Sequence, residues 1–132
     1  MQDFRNIEFW RKAHVLVLAI YRETQSLPKE EVFGLTIQLR RSATAIATRI
    51  AEGCGRENNL EFAADLRKAQ ASCNELEYLI ELAKDLTYWK PESSAKLTAE
   101  TSNSDSRAAF GGSRSVNSGA FTVTRVRASA KI

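Results

Sequence analysis

Reactive side chains are scarce in these 132 residues, which hold one histidine, His14, and two cysteines, Cys54 and Cys73. The cysteines show no CxxC spacing, and a single histidine leaves too few Cys and His ligands for a four-coordinate zinc site within one subunit. A di-metal carboxylate bundle would need a Glu-x-x-His pair, but Arg11 stands three residues before His14. Cys-His nucleophilic catalysis would require Cys54 or Cys73 to meet His14 across the fold, and nothing in the spacing supports it. Gly53-Cys54-Gly55 follows a predicted helix, not a strand, and no Lys-Ser/Thr comes after it, so it is not a phosphate cradle. Cys54, between two glycines, is a candidate reactive thiol, whereas Cys73 falls on an apolar stripe and reads as a small buried hydrophobe. His14 reads as a polar-face histidine. The expectation is therefore no catalytic, metal or cofactor residue, and no enzyme.

Binding chemistry is better represented. Arg40, Arg41, Arg49 and Arg56 gather in one segment against Glu52 alone, with Arg11 and Lys12 as further cations. Helical arginines held in a row can take phosphates of RNA or DNA through the backbone, without reading sequence. The alternative is that Arg40 and Arg41 pair with the acidic third helix of the same or a neighbouring subunit. Net charge does not choose between these readings. The chain is +3 in total, but residues 1–100 carry 14 Lys+Arg and 15 Asp+Glu, while 101–132 carry five and one. Residues 35–56 are +3 and residues 57–89, with three Lys+Arg against seven Asp+Glu, are −4, an opposition that suits subunit pairing as well as nucleic acid.

The elements that must position these residues are helical. In Gly34 to Arg56, GLTIQLRRSATAIATRIAEGCGR, the stripe Leu35, Leu39, Ala43, Ile46, Ile50 lies on one helical face and must be buried. Ala43, Ala47 and Ala51 form a row along which another backbone can approach closely. Gly53 and Gly55 tolerate the left-handed geometry on which helices commonly stop. A helix over residues 7–26 has Asn6 as its N-cap and ends at Leu27-Pro28. Its apolar face is Phe9, Trp10, Ala13, Val17, Ile20 and Tyr21, and Val15, Leu16 and Leu18 widen that face enough to demand a second burial surface. By periodicity alone residues 15–21 also fit a buried strand; the flanking charged helix formers favour helix.

The second helix spans residues 35–53 and the third 59–88, the latter capped by Asn58 with Glu61 three residues on. Phe62, Leu66, Ala69, Cys73, Leu76, Ile80 and Ala83 form an unbroken heptad seam. Pro91 suits the first turn of a fourth helix beginning at 92–100. Short turns between these helices predict an all-α, antiparallel up-down four-helix bundle. Residues 101–132 hold seven Ser, three Gly and three Thr, and sustain no helical period. They read as a disordered or out-of-frame tail that truncates or replaces the fourth helix, with a strand alternative at 121–126. A bundle so shortened leaves apolar faces partly bare, which favours self-association. No apolar run reaches the roughly 20 residues of a bilayer span, and the start lacks the features of a secretory signal, so no membrane partner and a cytoplasmic setting are expected.

DFRNIEFWRKAH at the start, LTIQLRRSATAIATRIAEGCGR in the second helix and FAADLRKAQASCNELEYLIELAKDL in the third resemble the proteins encoded by intervening sequences of 23S rRNA genes, over about residues 2–98. The resemblance implies an up-down four-helix bundle, a homopentameric ring, no known enzymatic activity and a bacterial cytoplasmic home. It extends to a related branch, the accessory proteins of diversity-generating retroelements, which implies a basic five-fold barrel with a reverse transcriptase and nucleic acid as partners. The departure from the family pattern falls after Glu100, where family members continue a long amphipathic fourth helix.

Overall fold

The computed structural model describes residues 3–104. Four helices make up the bundle: α1 (Glu8–Thr24), α2 (Leu35–Cys54), α3 (Asn59–Asp85) and α4 (Pro91–Asn103). Single 3-10 turns at Phe4–Asn6 and Lys29–Glu31 precede α1 and α2, and no strand occurs among the described residues. Each helix packs on its neighbours in order, α1 on α2, α2 on α3, α3 on α4, and α4 closes back onto α1. The architecture is the antiparallel up-down four-helix bundle.

The α2 stripe and the α3 seam form the centre of the core, and every residue assigned to them from spacing is buried. Asn58 caps α3 by accepting the Glu61 N–H at 2.8 Å. The N-terminus of α1 differs from expectation. Asn6 is taken up in the 3-10 turn, so the extended Ile7 becomes the N-cap and the helix starts at Glu8. The buried face of α1 is also turned, centring on Ala13, Leu16, Ala19, Ile20 and Thr24. Tyr21 falls outside it, and Val15 and Leu18 stay 57% and 53% exposed.

Neither glycine at the end of α2 is left-handed. Gly55 sits at φ −84°, and the last turn closes by right-handed i→i+3 bonds, Gly55 N–H to Glu52 O and Arg56 N–H to Gly53 O, both 3.0 Å. Gly53 serves close approach instead: a Cβ there would lie 3.2 Å from the Phe62 ring and 3.3 Å from the Asp65 Cβ. The left-handed stop is at Thr87, φ 64°, after α3. There Tyr88 N–H reaches Ala83 O and Thr87 N–H reaches Lys84 O, the paired bonds of a Schellman motif. That motif ends α3 three residues before the expected boundary. It also turns the chain so that the buried Trp89 donates from Nε1 to Glu23 O at 3.1 Å, joining the turn before α4 to the end of α1.

Pro91 occupies the first turn of α4 as expected, but α4 runs on to Asn103. Its buried positions are Ser94, Leu97 and Thr101, and the buried C-cap Ser104 continues the row, at spacings of three, four and three. The period therefore continues past Glu100 in polar residues. Thr101 Oγ1 donates to Leu97 O at 2.7 Å and Ser104 Oγ to Glu100 O at 2.9 Å, so these two hydroxyls are satisfied within the helix, while the buried Ser94 Oγ has no partner among the described residues. The expected tail over 105–132, with its strand alternative, lies outside the described residues.

Candidate functional site

The outward side of α2 repeats at helical spacing, like its inward side: Ile37, Arg41, Thr44, Thr48 and Glu52. Short side chains in the middle of that row leave a trough. Tyr21 of α1 and the taller Arg40, Arg41, Arg49 and Glu52 border a groove of about 620 Å³. Three of the four arginines singled out by sequence thus meet at one surface, and Arg56 does not.

Their partners differ. Arg40 turns to α1, donating from Nε to Thr24 Oγ1 at 2.8 Å and from Nη2 to Tyr21 O at 3.4 Å, with its guanidinium 4.6 Å from the Tyr21 ring centroid. A cation at the last carbonyls of a helix opposes the negative end of the helix dipole. Within the chain, then, Arg40 binds the end of α1 and not the acidic α3, which corrects the intrachain pairing offered as one alternative. Arg49 pairs with Glu52 on its own helix at 3.1 Å. Arg56 does reach α3, donating from Nε to Asp65 Oδ2 at 2.8 Å. Arg41 is exposed and forms no hydrogen bond or ion pair among the described residues.

Arg11 and Lys12 lie on the other side of α1. Arg11 Nε donates to Arg5 O at 2.8 Å, and Lys12 pairs with Glu8 at 3.5 Å. They border a second groove of about 270 Å³, shared with Glu100 and Asn103 of α4, where both charge signs are present.

The candidate thiol is closed off. Cys54 is buried, and burial, followed by the Asp3 carboxylate, pushes its pKa up to about 11. A thiol held protonated at neutral pH is a poor nucleophile, which removes the reactive-thiol alternative. Cys73 is buried in the seam as expected. His14 is exposed, its ring stacked on Trp10 with centroids 5.2 Å apart. No group of three or more His, Cys, Asp or Glu is placed to hold a metal among the described residues, and no helix there is long and apolar enough to cross a membrane. Tyr21, Ile37, Thr44 and Thr48 were missed as site residues. Reading the outward period of α2 as closely as its inward one would have found the last three.

These features define the class: a small up-down four-helix bundle with an arginine-bordered groove on its second helix. The chain belongs to the 23S rRNA-intervening sequence protein family, whose pattern it matches over residues 5–107, past Glu100. It is similar to a protein of unknown function from the S23 ribosomal protein family of Bacteroides thetaiotaomicron VPI-5482, at 22% sequence identity. That crystal structure aligns with a TM-score of 0.69 over 74% of this chain and 91% of the other. At that identity the likeness shows the fold. No curated protein matches the chain.

Proposed function

We propose that the protein is a non-enzymatic scaffold that assembles with itself in the bacterial cytoplasm, as the pentameric ring that the family resemblance implies. The observation that supports it is the uncovered side of α1. Val15, Leu18 and Tyr21 follow one another every three residues, each about half exposed, and Tyr21 and Ile37 continue the apolar surface into the groove. A contiguous apolar surface of this kind is the mark of a protein contact. Sedimentation velocity over a concentration series tests the reading. Assembly is expected at micromolar concentration, and Leu18→Glu is expected to yield a helical monomer. A parent protein that sediments as a monomer throughout refutes it.

One observation favours a second reading, an accessory protein that binds RNA or DNA beside a reverse transcriptase: Arg40, Arg41 and Arg49 border a single groove. Arg40 and Arg49 are already engaged and Glu52 closes the row, so Arg41 is the principal phosphate ligand in this reading. Affinity for structured RNA and single-stranded DNA would then fall steeply with salt, and Arg41→Glu would remove it. Absence of binding at low salt rejects this reading and leaves the scaffold untouched.

A further inference from the structure

We infer that the groove between α1 and α2 receives the outward face of α3 from a second copy of this chain, in a head-to-tail contact with a defined register. This inference rests on the self-assembly reading and specifies its interface.

The receiving surface is a trough over Thr44 and Thr48, bounded by Arg41 at one end and Glu52 at the other. On α3 the matching feature is a ridge. Leu60 and Tyr78 are 82% and 64% exposed, and between them Ala64 and Ala71 lie on the same side of the helix. From Leu60 to Tyr78 the ridge rises about 27 Å, and the trough from Ile37 to Glu52 about 22 Å, at 1.5 Å per residue. The charges are opposed as well, because residues 35–56 are +3 and residues 57–89 are −4.

Register follows from the bundle. Gly53 lies against Phe62 and Asp65, which ties the level of α2 to that of α3 in the antiparallel pair. Counting up from there at equal rise, Arg41 stands level with residues 74–77 of α3, and Glu52 with residues 63–66. Copies set side by side with parallel bundle axes therefore bring Arg41 to the level of Glu75 and Ile37 to the level of Tyr78. The Arg41 end of the trough thus meets the opposite charge. Arg41, which has no partner among the described residues of its own chain, gains one. The paired helices run antiparallel, which also opposes their dipoles favourably. Because the two surfaces differ, the contact is heterologous, and each copy offers both halves. A heterologous contact generates a ring where its rotation closes.

Charge reversal in a sedimentation-equilibrium series tests the interface. Arg41→Glu and Glu75→Arg each put like charges at the contact and are expected to weaken self-association by about tenfold or more. The double variant Arg41→Glu/Glu75→Arg is expected to return to within about threefold of the parent, which additive surface effects cannot produce. Far-ultraviolet circular dichroism checks that each variant remains helical. A double variant no better than the singles overturns this interface. So does disruption by Leu18→Glu with Arg41→Glu unaffected, which leaves self-assembly standing. A parent that never assembles refutes self-assembly itself.

Discussion

Arg56 donates from Nε to Asp65 Oδ2 at 2.8 Å, joining the end of α2 to a carboxylate that is 2% exposed inside α3. The hydrogen bond to Asp65, and then its charge, raise the pKa of the guanidinium. This arginine ties a corner of the bundle and is committed to it.

Removing either partner is not symmetrical. Arg56→Ala leaves a buried carboxylate without its cation, whereas Asp65→Asn retains an acceptor and removes the charge. Arg56→Ala is therefore expected to lower Tm more than Asp65→Asn does. Equal melting of Arg56→Ala and parent protein would show that the corner is held by packing alone.

Gly53 lies beside the same pair. Alanine in a helix is favoured over glycine by about 1 kcal/mol. Here its Cβ would press on the Phe62 ring at 3.2 Å and on the Asp65 Cβ at 3.3 Å, and the ion pair pins that part of α3. Overpacking of this kind costs about 1–3 kcal/mol. Gly53→Ala is expected to destabilise by about 1 kcal/mol in urea unfolding, and a stabilised variant would contradict the close approach.

Thr87 offers the opposite case. Its φ of 64° costs a β-branched residue about 1–2 kcal/mol, while glycine adopts it freely. The lost bond from Thr87 Oγ1 to Leu86 O is exposed and contributes little. Thr87→Gly is expected to stabilise by about 1 kcal/mol, read as a higher urea midpoint at an unchanged m-value.

The Cys54 thiol, raised from 9.0 to about 11, keeps its proton to higher pH in the folded chain than in the unfolded one. Its contribution to stability is full below pH 9 and is lost as pH rises through 11. Urea midpoints of the parent should fall more steeply between pH 9 and 11 than those of Cys54→Ala. At pH 8, iodoacetamide should label neither buried cysteine until urea is added; rapid labelling of the folded chain would contradict the burial.

Much of this was legible in advance. The α3 seam and the α2 stripe were read residue for residue, because large apolar side chains at a steady period have one place to go. The limits of α1 and α3 were less legible. A 3-10 turn absorbed Asn6, and a Schellman motif formed on a threonine where glycine would be the usual signal. In α4 the buried row continues through Thr101 and Ser104, whose hydroxyls bond to their own helix, so a scale of hydrophobicity saw no helix there. The arginine cluster was visible as composition, but which of its members is free depended on Thr24, Asp65 and Glu52, which lie on three different helices.

By itself the sequence determined that the chain is helical, which faces of α2 and α3 are buried, and the family to which it belongs. Those properties follow from local periodicity and from motifs, which need no knowledge of neighbours. Only the tertiary structure decided how α1 is turned, that Val15 and Leu18 stay exposed, and that Arg41 alone of the four arginines has no partner among the described residues. Each of these depends on contacts between residues distant in the chain, and helical period alone cannot say which neighbour a side chain will meet.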